Sequence, residues 1–210
     1  MSNSAKPIIS FNLSKQGSEP ISFNLNKVQE YLVKLYWKSA HDCDVHAFAL
    51  TENVITEFDD VVSTYNPTLV LQSNTAQTRI SGDKKPFQNR AGSILHMGDV
   101  KSGLNPNDEK PDEELKVILS KLKPTQTAIP FFVSIHPASS AKFREVADLR
   151  LVIEQCDGVK LLEAHLGRDF DDYDMVQIGM LVKSNKGDWL FDPKAVGLNG
   201  DFNDLVGAFQ

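Results

Sequence analysis

Apolar and polar residues alternate along most of this chain. In Tyr31–Trp37 the period is two, which puts Tyr31, Val33, Leu35 and Trp37 on one face, and Leu149–Glu154 (LRLVIE) repeats the pattern. That period belongs to a strand with one side in a core and one side wet. Ile9–Lys15, Ile21–Lys27, Val45–Leu50, Lys160–His165, Met175–Lys183 and Trp189–Phe191 also read as strands, Phe58–Asn66 and Thr68–Leu71 continue the β-rich trend, and Leu115–Leu119 and Ala128–Ile135 are short, strongly apolar strands. Pro130 donates no hydrogen bond, so within its strand it requires an end, an edge or a bulge. Helical spacing is confined to Phe143–Asp148 and to Asp201–Phe209, where Asp201 is placed to cap the N-terminus.

Roughly ten short strands with turn signals between them and little helix predict an all-β protein, a two-sheet β-sandwich with short helices, one of them near the C-terminus. The chain of 210 residues suits a single domain over 1–210. Near its start ISFNLSK and ISFNLNK repeat across the spacer QGSEP, so residues 1–27 are expected to form paired N-terminal strands by local duplication. Gln72–Arg90 lacks apolar periodicity, and residues 72–95 are expected to be a surface excursion.

Composition narrows the function. Twenty-eight acids against 22 bases give a formal charge of -6, and no Lys/Arg cluster forms a face that tracks phosphates, which argues against a nucleic-acid partner. Cys43 and Cys156 are far apart and form no CxxC pair, as expected of a reducing, cytoplasmic setting. No apolar run reaches the length of a membrane span, and the N-terminus has no apolar signal core, so neither membrane insertion nor standard export is expected. GxSxG, P-loop and GxGxxG patterns are absent, and His41, His46, His96, His136 and His165 lack zinc-ligand spacing. The acids Asp169, Asp171, Asp172 and Asp174 read as a solvated inter-strand loop, and enzymatic activity is not expected.

One stretch gathers candidate chemistry. His96–Lys121 is an acidic loop broken by Gly98, Gly103, Pro106 and Pro111, in which Asp99, Asp108, Asp112 and Glu113 offer oxygen ligands to a hard cation such as Ca²⁺. A second source of oxygens is the Asp42-x-Asp44 pair, whose carboxylates point to one side of an extended backbone, with His46 on that side by parity. A linear EF-hand is excluded. Counted from Asp42 the sixth and twelfth positions are Ala47 and Asn53, and from Asp169 they are Asp174 and Met180, so the turn Gly and terminal Glu are missing.

Taken together and in order, these stretches resemble the TerD family of tellurium-resistance and stress-response proteins. The doubled ISFNLSK/ISFNLNK is similar to that family's paired N-terminal strands. LYWKSAHDCDVHAFAL resembles its Trp and Asp-x-Asp segment, and Thr64-Tyr65-Asn66 its FYN strand end. His96-Met97-Gly98-Asp99, Ser102-Gly103 and Asp112-Glu113 are similar to its GDN and GDDE loop, and Trp189–Phe191 with the last helix to its C-terminal part.

The resemblance implies a TerD-type sandwich without enzymatic activity that binds calcium through Asp42, Asp44, Asp99, Asp112 and Glu113, with backbone oxygens near Val100 and Gly103. It departs from the family pattern at Lys38, Val100, Lys110 and Pro111, which remove side-chain oxygens, add positive charge and imply a weakened site. The function expected is a cytoplasmic calcium-binding scaffold in a tellurite-resistance-type stress response, working through protein partners or self-association. The alternative is a structural subunit of a larger assembly such as a phage virion.

Overall fold

The computed structural model describes residues 9–13, 30–71, 85–104 and 110–210. Among them one sheet of eight strands is ordered β1 (Ile9–Leu13), β12 (Lys160–Leu166), β11 (Ala147–Gln155), β2 (Glu30–Lys38), β9 (Glu113–Ile118), β8 (Ile94–His96), β7 (Phe87–Gln88), β6 (Leu69–Val70). The second sheet is ordered β14 (Trp189–Asp192), β13 (Met175–Lys183), β10 (Gln126–Ile135), β3 (Cys43–Phe48), β5 (Val61–Val62). β4 (Leu50–Thr51) pairs with β10, and β15 (Val196–Leu198) with β13. Pairing is antiparallel except between β1 and β12, which run parallel with Ile9 opposite Leu162. The two sheets pack face to face as a sandwich, and no helix among the described residues is long and apolar enough to cross a membrane.

The strand period explains the core. Tyr31, Val33, Leu35 and Trp37 of β2 are buried between the sheets against Cys43, Val45 and Ala47 of β3. Each such side chain removed from water contributes about 1.5–3 kcal/mol before entropy is subtracted. β10 reads AIPFFVSI without alternation because both of its faces are covered. On the outer side, Phe48, Phe132 and Val61 form a second apolar cluster with the C-terminal helix α1 (Phe202–Gly207). Asp201 caps that helix by accepting from the N–H groups of Asn203 and Asp204, as its sequence position predicts. Pro130 lies where β3 gives way to β4 beside β10, next to an irregularity at Phe131/Phe132, so on the β3/β4 side its missing N–H breaks no continuous ladder.

Three expectations are corrected. Phe58–Asn66 is not one strand: a 3-10 turn at Phe58–Asp60 precedes the two-residue β5. Asn66 Nδ2 then donates to the carbonyls of Phe58 and Val61, which folds the chain back on itself. Residues 85–95 are not a surface excursion but contain β7 and most of β8, with Phe87 and Ile94 buried. There the Asn89 side chain accepts from the Ser93 and Ile94 N–H groups, so residues that read as solvated close a buried turn. The roughly ten strands expected become fifteen among the described residues, because the additional ones are only two or three residues long. The second copy of the N-terminal repeat, Ile21–Lys27, and residues 72–84 lie outside the described residues.

His46 locks the strand that carries the acid pair. Its Nε2 lies 2.8 Å from Ser134 Oγ on β10 and its Nδ1 2.9 Å from Ser63 Oγ after β5, while complete burial pushes the imidazole down to about 3, so it is neutral at physiological pH. His46→Leu keeps apolar volume but strips both hydroxyls of this partner. Urea unfolding is expected to show a loss of about 2 kcal/mol, the scale of leaving buried polar groups unsatisfied.

Candidate metal centre

The site forms at one end of the sandwich, where the turn from β2 to β3 meets the loop from β8 to β9. Backbone bonds hold this end of the sandwich together. The Gly103 N–H donates to the Ser39 carbonyl at 3.0 Å, Asp112 N–H to the Leu35 carbonyl at 2.9 Å, and His136 N–H to the Asp42 carbonyl at 2.8 Å. Gly103 is obligatory for the first of these, because a β-carbon there would lie 2.3 Å from the Trp37 carbonyl oxygen and 2.5 Å from its ring.

Asp42, Asp44 and Asp99 each present a carboxylate oxygen within 4.8 Å of the other two, a cluster that could hold a metal ion. Asp44 and Asp99 are buried and Asp42 is half-buried. Asp44 is held from behind: Thr64 Oγ1 donates to its Oδ1 at 2.7 Å and Tyr65 OH to its Oδ2 at 2.8 Å. Each carboxylate oxygen has a second lone pair, so these bonds orient the group without using it up.

Asp112 and Glu113 flank the trio and are engaged with backbone. Asp112 Oδ2 accepts from the Trp37 N–H at 3.1 Å, and Glu113 Oε2 accepts from the Val45 N–H at 2.7 Å, so Glu113 reaches from β9 in one sheet to β3 in the other. His96 Nε2 lies 3.5 Å from that same Oε2. Its Nδ1 accepts from the Gly98 N–H at 3.3 Å, so Nε2 is the ring nitrogen turned toward Glu113. The imidazole is fixed by stacking on Phe87 at 4.7 Å between ring centroids. Glu113 Oε1 is buried and accepts no hydrogen bond from the described residues.

These acids feel one another. Burial raises the Glu113 carboxyl well above the usual range, and Asp44, Asp99 and Asp42 push it further against the Val45 hydrogen bond. Asp44 is raised by burial and by Asp99, opposed by Thr64, Tyr65 and His96. The buried Cys43 thiol between them is also driven up, by burial and then by Asp44, Glu113, Asp42 and Asp112. Buried carboxyls this close to one another favour a bound cation, and an all-oxygen donor set fits a hard one.

Of the acids named from the sequence, Asp42, Asp44, Asp99, Asp112 and Glu113 lie at this end of the sandwich, the first three of them within joint reach of one ion. Val100 packs its side chain into the core and Gly103 packs against Trp37. Asp108 lies outside the described residues. Lys38 Nζ is 3.5 Å from Asp148 at the surface, and Lys110 is exposed. Asp169, Asp171, Asp172 and Asp174 are elsewhere, with Arg144 paired to Asp172 and Lys142 bound to Asp174 at 2.5 Å. Thr64, Tyr65 and His96 were not assigned a role from the sequence. Their partners are distant along the chain, and only the resemblance of Thr64-Tyr65-Asn66 to a family strand end marked two of them.

The architecture and this cluster define an all-β sandwich with an acid-lined end that could hold a metal ion. Residues 9–209 match the TerD domain family, so the chain belongs to that family. Two solved structures share the fold. One is SAV2460, a protein of unknown function, with a TM-score of 0.65 at 17% identity over 85% of this chain and 95% of that one. The other is SCO6318 from Streptomyces coelicolor A3(2), a homologue of the telluride resistance protein TerD, with a TM-score of 0.62 at 16% identity and the same coverage. No curated protein matches the sequence.

Gly103→Ala is expected to lower stability by about 2 kcal/mol or more, read as a fall in melting temperature, because the intruding methyl group must displace Trp37 or part the two loops. An unchanged melting temperature would show that this close approach is not required.

Proposed function

We propose that this protein is a TerD-type calcium-binding module, not an enzyme, which acts through protein contacts in a stress response of the tellurite-resistance kind. The observation that carries the reading is the convergence of Asp42, Asp44 and Asp99, from two loops distant in sequence, to within 4.8 Å of one another. Three carboxylates so close, two of them buried, repel one another, and a divalent ion removes that repulsion. Asp42, Asp44 and Asp99 would hold the ion, with Glu113 Oε1 a further candidate oxygen. Calcium suits this set better than magnesium, since it tolerates irregular oxygen geometry and gives up its water more readily. When bound, the ion joins the β2–β3 turn to the β8–β9 loop and stabilises the fold by mass action. The non-enzymatic part of the reading is supported by the orientation of the acids toward one another and toward backbone N–H groups. The stress-response part is supported by family membership and by the telluride-resistance homologue that shares the fold.

Calorimetric titration of metal-stripped protein is expected to give heat and a raised melting temperature with Ca²⁺, and a much weaker response with Mg²⁺. Asp99→Asn should abolish the Ca²⁺ response. The same substitution should raise the melting temperature of the metal-free protein by a few degrees, on the order of 1 kcal/mol, because it deletes a charge that Asp44 and Glu113 both oppose. Identical Ca²⁺ traces for the two proteins would defeat the proposal.

A further inference from the structure

Tyr65 makes two contacts that belong to different parts of the molecule. Its hydroxyl donates to Asp44 Oδ2 at 2.8 Å, and its ring lies 5.2 Å from that of Phe202, the first residue of α1. Its backbone N–H donates to Ser63 Oγ, which bonds His46 Nδ1, and the His46 ring lies 5.3 Å from Phe202 on its other approach. Phe202 therefore rests on two rings of one hydrogen-bonded network, and the far end of that network is a carboxylate of the acid cluster.

α1 depends on this seat. At six residues it is well short of the length at which a helix persists alone in water, so it exists because Leu205, Val206, Phe202 and Phe209 dock on the outer face of the second sheet. Ile55 N–H donates to the Phe209 carbonyl at 2.7 Å and ties down its far end. The near end is held by Phe202 on Tyr65 and His46. A shift of the Asp44 carboxylate moves the Tyr65 hydroxyl, and the ring moves with it.

We propose that α1 is the element through which the acid cluster is read out: Tyr65 couples cation binding at Asp44 to docking of the C-terminal helix, so that each strengthens the other. This rests on the cation-binding reading above. Without a cation, Asp42 and Asp99 repel the Asp44 carboxylate and loosen its bond to Tyr65. With one, the carboxylate is pinned and Tyr65 presents a fixed surface to Phe202. Linkage requires reciprocity, so loosening the helix weakens the cation site by the same factor. The partner-facing consequence is a C-terminal surface that is firm when calcium is present and labile when it is not.

The test is a double-mutant cycle on Ca²⁺ affinity, measured calorimetrically for the full chain, Tyr65→Phe, Phe202→Leu and the pair, with melting temperatures in EDTA to verify that each is folded. Each single substitution is expected to weaken Ca²⁺ binding three- to tenfold, although Phe202 has an apolar side chain that offers an ion nothing. The pair is expected to be no weaker than the worse single. In parallel, Ca²⁺ should slow hydrogen exchange of the Leu205, Ala208 and Phe209 amides at least severalfold in the unsubstituted chain and not in Tyr65→Phe. Wild-type affinity in Phe202→Leu, or α1 exchange indifferent to Ca²⁺, overturns the coupling while leaving the cation site intact. Absence of Ca²⁺ binding by the unsubstituted chain overturns the cation reading itself, and the coupling with it.

Discussion

Glu113 reaching from one sheet to the Val45 N–H of the other is the contact on which this end of the sandwich depends. Sandwiches are held along their faces by apolar contact, which has no direction and fixes no register between sheets. A buried carboxylate on a backbone N–H does have direction. Because Glu113 is also the first residue of β9, that bond sets where the strand begins, where the preceding loop ends, and how near that loop comes to the Asp42/Asp44 turn. His96 and Phe87 support it from the neighbouring strands of the same sheet.

Concentrating acids in this way opposes stability. Desolvation raises the carboxyls of Asp44 and Glu113, and their mutual repulsion raises them more. Thr64 and Tyr65 donate to Asp44 and the Val45 N–H donates to Glu113, each working against that rise. The two lysines that distinguish this chain from the family pattern, Lys38 and Lys110, are both exposed, and Lys38 pairs with Asp148 on the rim.

The long strands were legible because their burial is periodic. β2, β11, β12, β13 and β14 fall within a residue or two of the segments read from alternation, and the C-terminal helix was marked by its Asp cap and apolar spacing. What escaped was short or made of polar residues that bury. β7, with Phe87 as its one buried apolar side chain, and the Asn89 turn look like solvated chain, because an Asn that completes buried hydrogen bonds has the same letter as one in water. The acids were found because carboxylates grouped in turn-rich loops carry a local signal. Thr64, Tyr65 and His96 were missed because what they do is defined only by residues that the fold brings to them.

The order of strands in the larger sheet carries a consequence for synthesis. β2, the first long strand made, lies between β9 and β11, and at the sheet margin β1 runs alongside β12. Neither early strand has all its neighbours until the segments through β11 and β12 have been made, more than a hundred residues later. Nascent chain must therefore carry an incompletely paired Tyr31–Trp37 segment, apolar along one side, until β11 emerges. On the opposite side of β2, Lys34, which pairs with Glu154 only once β11 arrives, puts a charge where it opposes pairing of the waiting strand with another of its kind.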